Sequence, residues 1–185
     1  MLHKDHSISI PKAIRYCLDV FSCQEVQSVH SSVKVLRKGV KTQIGGFRVQ
    51  PFPLYHSAEC IGFVIETPDK QKIVFATDTN KIPYRFKGVN HFIVECNNNF
   101  DDMVDNLCDN NVSMSNSKDH MEISDTIEFL KQNYSSDLQS VTLIHLSDAN
   151  IDAKKALERV KEELGFDRVW IAEKGLEIEL EKEEF

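Results

Sequence analysis

LYHSAECIGFVIETPDKQKIVFATDT, residues 54–79, holds two β-rich runs, Gly62 to Thr67 and Lys72 to Thr77, joined by Pro68-Asp69-Lys70-Gln71. Branched and aromatic side chains suit a pleated surface, and the Pro-Asp linker turns the chain, so the stretch predicts a β-hairpin. His56 stands ahead of the first run and Asp78 closes the second. Polar residues at strand ends are where a layered α/β domain gathers its ligands.

Toward the C-terminus, Phe92-Ile93-Val94 is a wholly apolar strand that ends at Glu95-Cys96-Asn97, and Val141-Thr142-Leu143-Ile144 is another that delivers His145. Helices are predicted over Phe100 to Leu107 and over Met121 to Leu130, the latter through Ile123, Ile127 and Leu130 at helical spacing. Asn110 to Lys118, between them, is polar and rich in breakers, as expected of a loop. Asp152 caps a further helix with Ala153, Ala156, Leu157, Val160 and Leu164 on one face and Gly165 at its stop. Val169 to Ala172 and Leu176 to Leu180 read as closing strands.

Toward the N-terminus, Pro51 and Pro53 are expected to stop any regular ladder, and Gly45-Gly46 breaks the chain before Phe47-Arg48-Val49. Lys34 to Leu36 and Val26 to Val29 are strand-like, and Pro11 opens an amphipathic helix from about residue 11 to 22 through Ala13, Ile14, Cys17, Leu18 and Phe21. The 185 residues carry no repeat, linker or low-complexity run, so one α/β domain over 1–185 is expected.

Twenty-two basic against 29 acidic residues give a net charge of −7, which argues against nucleic-acid binding by bulk electrostatics: a polyanion would have to be caught locally. Much of the acidic excess sits in Glu177 to Glu184, a solvated end. The five cysteines, Cys17, Cys23, Cys60, Cys96 and Cys108, are an odd number without a CxxC pair, so reduced, buried thiols in a cytoplasmic protein are expected. No apolar run approaches the roughly 18 residues of a membrane span.

The first six residues, Met1-Leu2-His3-Lys4-Asp5-His6, place three metal ligands within four residues ahead of the first helix. A tight loop can aim His3, Asp5 and His6 at two adjacent ions. Imidazole with carboxylate suits zinc, manganese or iron. Two ions about 3.5–4 Å apart can clamp both oxygens of a phosphoester displacement. His30 and His91 fall outside the pattern and read as surface or strand histidines, and Cys60 as a buried strand thiol. Ser147 and Asn150 suit either phosphate binding or capping of the next helix.

The order of these residues and their surroundings, in LYHSAECIGFVIE, IVFATDT and LIHLSDAN, resembles the metallo-β-lactamase fold of metal-dependent hydrolases, an αββα sandwich, over essentially the whole chain. The signature of that superfamily is HxHxDH, followed by a separate His, a bridging Asp and a last His. The resemblance therefore implies one ion held by His3, His56 and Asp78, and a second held by Asp5, His6, His145 and the same Asp78. The first histidine of the signature falls on Met1, a poor ligand for zinc or manganese, so the first site is expected to be weakened. The superfamily's opening strands are also expected to be missing, a fold truncated at its N-terminus. Self-association into a homo-oligomer that covers exposed sheet edges follows as an expectation.

Asp119-His120-Met121-Glu122-Ile123, the HLSDAN stretch and IAEKGLEIEL look most like the exonuclease-like phosphodiesterases related to ribonuclease Z. That likeness implies that His120 protonates the leaving oxygen. Glu122 stands where a Ser or Thr is expected, and its carboxylate has to point away from a phosphate. The resulting expectation is a metal-dependent hydrolase, a phosphodiesterase on nucleic acid, in which a metal-bound hydroxide attacks, Asp5 orients it, Asp78 bridges the ions and His120 assists departure. The alternative is a catalytically impaired remnant or binding module of the same fold, on account of Met1.

Overall fold

The computed structural model describes residues 21–22, 34–100, 117–147 and 150–180. His3, Asp5 and His6, the strand over 26–29, His30, and the helix over 100–107 beyond its first residue all lie outside the described residues. So does the helix over 11–22 except for its last two residues, and these form a strand instead: β1 (Phe21–Ser22) pairs in parallel with β2 (Lys34–Val35).

The main sheet has seven strands in chain order, β3 (Thr42–Ile44), β4 (Phe47–Pro53), β5 (Ile61–Glu66), β6 (Lys72–Ala76), β7 (His91–Glu95), β8 (Ser140–Ile144) and β9 (Val169–Ile171). β3 to β6 pair antiparallel and β6 to β9 parallel. The hairpin read at 62–77 is β5 and β6, and its turn holds Lys70 left-handed at φ 72°. The α/β expectation holds.

Two strand readings need correction. β4 runs through both prolines. The last pair of β4 with β3 is Val49↔Thr42, so beyond it that edge has no ladder to lose, and the Pro51 carbonyl takes the Gly39 N–H at 2.7 Å. Pro53, two residues on, turns its missing N–H to the same open side, while the pairing with β5 continues to Pro53↔Ile61. Residues 176–180 alternate apolar and acidic side chains but form no strand with any of the described residues, and the Leu180 carbonyl accepts from the Gln71 side-chain amide instead. Alternation alone does not make a ladder.

α1 (Ile123–Gln132) and α2 (Ala153–Leu164) pack on one face of the sheet. α1 starts two residues later than its apolar spacing suggests, because Glu122 caps it by accepting the Ser124 N–H at 2.7 Å. α2 has the expected ends: Asp152 accepts the Lys154 and Lys155 N–H groups at 3.0 and 3.1 Å, and Gly165 closes it at φ 60°. Between helices and sheet, Phe92, Met121, Ile123, Leu130 and Leu143 are fully buried, each contributing roughly 1.5–3 kcal/mol. Gly62 lies so close to the ring of Phe52 that a Cβ would collide with it, which fixes that ring in the core. On the opposite face Phe63, Phe75, Ile93 and Trp170 are only half-buried.

His91 is a strand histidine but not a surface one, being 1% exposed. Gln71 Oε1 can only accept, so His91 Nε2 donates to it at 2.5 Å and Nδ1 accepts from Ser140 Oγ at 2.6 Å. Burial, aided by the nearby Arg168 charge, pushes the His91 imidazole down to about 4. A lowered pKa means that the unfolded chain takes up the proton first. The stability His91 contributes is thus present above its ordinary value of 6.5 and lost as pH falls toward about 4. Urea unfolding on either side of that window should show the loss, and His91→Gln, which keeps hydrogen-bonding capacity without titrating, should flatten the pH dependence.

Candidate metal centre

The parallel register of β6, β7 and β8 brings their carboxyl ends side by side, with Ala76↔Val94 and Glu95↔Ile144 as neighbours. Asp78 follows β6, Glu95 ends β7 and His145 follows β8. Asp78 and His145 both adopt left-handed backbone, φ 55° and 58°, which turns each side chain out of its strand's direction. His56 follows β4, and His120 sits between a single 3-10 turn (Ser117–Asp119) and α1.

The donor atoms of His56, Asp78 and His120 lie within 4.8 Å of one another, as do those of Glu95, His120 and His145. His120 is shared: its ring centroid is 5.4 Å from that of His56 and 4.9 Å from that of His145. Glu95 is the inner residue of the group, fully buried, with Oε1 2.6 Å from His120 Nδ1 and 3.4 Å from His145 Nδ1, while Oε2 accepts the Thr79 N–H at 2.9 Å. Asp78 Oδ1 stands 3.6 Å from His145 Nδ1.

Burial alone would raise the Glu95 pKa, but the bonds to His120, His145 and the Thr79 N–H outweigh it and hold the carboxyl below its ordinary value. His145 moves the other way. Its hydrogen bond to Glu95 raises its pKa against the effect of burial, with help from the charges of Glu95 and Asp78.

Neighbouring groups hold this arrangement. Thr79 Oγ1 accepts the Tyr55 N–H at 3.0 Å and Asn80 N–H donates to the Tyr55 carbonyl at 2.8 Å, tying the loop after β6 to the segment that bears His56. Asn97 Nδ2 donates to the His145 carbonyl at 2.7 Å, and Asn98 Nδ2 to the His120 carbonyl at 3.4 Å. Asp78, Asn97, His120, His145, Ser147 and Asn150 line an open cavity of about 350 Å³.

Of the residues expected at the site, His56, Asp78, His120 and His145 come together, while His3, Asp5 and His6 lie outside the described residues. Cys60 joins neither group of donors and is half-buried rather than buried. Glu122 is turned to its capping bond, and Asp152 rather than Ser147 or Asn150 caps α2. Glu95, Asn97 and Asn98 were not anticipated, although a charged and amide-rich run directly after an apolar strand was visible at 95–98.

A sheet that turns from antiparallel to parallel, with helices on one face and His, Asp and Glu gathered at the carboxyl ends, is a scaffold for a metal site. Its fold is the metallo-β-lactamase fold. The chain is similar to the metallo-β-lactamase fold protein YhfI from Bacillus subtilis, with a TM-score of 0.62 and 15% identity over 86% of this chain and 62% of that one. It is similar as well to Zn(2+)-bound PqqB from Methylobacterium extorquens, with a TM-score of 0.67 and 12% identity over 88% and 65% of the two chains. A diphosphatase from the PhnP family gives 0.57 and 12% over 86% and 56%. The chain thus spans less than two thirds of each of these proteins. No protein-family model and no curated protein sequence matches it. Among the described residues no helix is long and apolar enough to cross a membrane.

Replacing Glu95 by Gln removes the carboxylate whose hydrogen bond and charge raise the His145 pKa. The His145 pKa should then fall toward its ordinary value in an NMR titration of the metal-free protein, and zinc affinity should drop about 10- to 100-fold in calorimetry.

Proposed function

We infer that the protein is a metal-dependent phosphodiesterase acting on nucleic acid, of the branch related to ribonuclease Z. The observation that carries this reading is the His120–Glu95 pair, 2.6 Å apart, at the edge of a cavity that Asp78 and His145 also line.

The donors fit a divalent ion. The donor atoms of His56 and Asp78 lie within 4.8 Å of each other and Asp78 Oδ1 stands 3.6 Å from His145 Nδ1, a borderline-hard set that suits zinc, manganese or iron. His56, Asp78 and His145 would hold the metal together with His3, Asp5 and His6. Bound there, such ions would supply Lewis acidity and a nucleophile at neutral pH. In this reading Asp5 orients the attacking group. His120, anchored through Nδ1, presents its other ring nitrogen to the departing oxygen and gives it a proton. Glu95 keeps the ring in that orientation, a positioning role through His120. Glu122, turned to its helix cap, adds no further carboxylate to the cavity lining. The names of the similar structures, a diphosphatase and a zinc-bound protein, agree with this chemistry.

A second reading, a catalytically impaired remnant or binding module, is favoured by Met1 at the place of the signature's first histidine. Metal analysis separates the two: near two equivalents per chain supports the enzyme, one or none the remnant.

With bis(p-nitrophenyl) phosphate as substrate, Asp78→Ala should abolish metal-dependent turnover while circular dichroism stays unchanged. His120→Ala should lower kcat by about 10²- to 10⁴-fold, more for diesters with poor leaving groups than for nitrophenyl esters. Turnover unaffected by chelators would overturn the reading.

A further inference from the structure

Beyond the metal centre, a second cavity of about 390 Å³ opens beside β4, β5 and β6. Lys41, Lys72, Arg85 and Lys87 line it, against one carboxylate, Glu66. Glu66 is itself engaged by Arg48 at 2.9 Å and by Lys41 at 3.6 Å. In a chain of net charge −7 this is a local reversal of sign. Arg85 and Lys87 are exposed and form no salt bridge among the described residues.

Two aromatic rings, Tyr84 and Phe86, share the wall with these cations. Both are half-buried and braced from behind: Phe52 packs against Tyr84 at 5.6 Å and against Phe86 at 5.0 Å, and Phe86 meets Phe129 at 6.2 Å. Rings held by the core lose little freedom when a ligand stacks on them.

The groove also connects to the metal centre. Tyr84 lies beside Tyr55, the residue before His56, and Lys81 Nζ lies 5.1 Å from the centre of the Tyr55 ring. The segment from Thr79 to Gly88 leaves the carboxyl end of β6 and returns to the start of β7, because the two strands are parallel. It covers about one strand length, roughly 17 Å. Cations and aromatic rings, Lys81, Tyr84, Arg85, Phe86 and Lys87, follow one another along that path.

We propose that this groove binds a single-stranded segment of nucleic acid, its phosphates on Lys41, Lys72, Arg85 and Lys87 and its unstacked bases on Tyr84 and Phe86, and leads the strand to the metal centre. Alternating cations and aromatic faces are what a flexible strand with exposed bases requires; a duplex hides its base faces, and an acidic peptide has none. The identity of the polyanion rests on the phosphodiesterase reading, but its capture needs no turnover.

The test is fluorescence anisotropy of a labelled oligothymidylate of about twelve nucleotides with the full chain in chelator. Binding should weaken steeply as salt rises. The double variant Arg85→Ala/Lys87→Ala, both exposed, should lose at least about 10-fold in affinity and reduce the salt slope by about 2. Tyr84→Leu should lose about 5- to 100-fold with little change in slope, as stacking without charge requires. Turnover of bis(p-nitrophenyl) phosphate should stay unchanged in the double variant. Absent oligothymidylate binding, wild-type affinity in the double variant, or equal competition by a duplex of the same length or by polyglutamate would each overturn the proposal. Small-diester turnover that persists without oligonucleotide binding refutes the groove alone. Binding that persists in a chain without diester turnover refutes the phosphodiesterase reading alone.

Discussion

A carboxylate with no solvent exposure lies at the end of the third strand from the sheet's C-terminal edge, and the arrangement of the metal centre depends on how Glu95 is satisfied. A lone buried charge costs several kcal/mol, and removing one partner of a buried pair is strongly destabilising. Glu95 avoids that cost by drawing in His120 from the turn before α1, His145 from the end of β8 and the Thr79 N–H from the loop after β6. Three segments distant in sequence therefore meet at one pair of oxygens. The hydrogen bond and charge of Glu95 raise the pKa of His145 against the effect of its burial.

The second support is the amide pair that follows. Asn97 and Asn98 are nearly inaccessible, and each donates to the backbone carbonyl of a histidine rather than to its ring. The two rings are thereby placed from below by main-chain anchoring and from the side by Glu95. Cys96, between the carboxylate and the amides, faces the apolar core, where burial pushes its thiol up to about 12 and leaves it inert. A single stretch of four residues thus serves the core with one side chain and the metal centre with three.

Much of this was legible in the sequence. The hairpin over 62–77, the apolar strands before Glu95 and His145, and both caps of α2 follow from local pattern, because each is decided by neighbours a few residues away. The prolines in β4 were misread because the cost of a missing N–H depends on which side of the strand it faces, a property of the sheet and not of the residue. Residues 176–180 have strand-like alternation but pair with no described strand, the converse error. At the site, His56, Asp78 and His145 are metal-loving types at predicted strand ends and stood out, while His120 was reached only through the family resemblance. Glu95 did not, since nothing in the chain tells that the last residue of a buried strand will find two imidazoles above it. His91 shows the same limit: its neighbours Gln71 and Ser140 come from other strands, so its burial could not be inferred from position alone.

The left-handed backbone at Asp78 and His145 bears on how such a chain could diverge. Aspartate, asparagine, histidine and glycine tolerate that conformation, whereas valine or isoleucine would strain it whatever ligand is or is not bound. A descendant that had given up metal chemistry would therefore still be restricted at these two corners, and asparagine or glycine is what its gene should encode there. The shape of the main chain would outlast the reaction as a record of it.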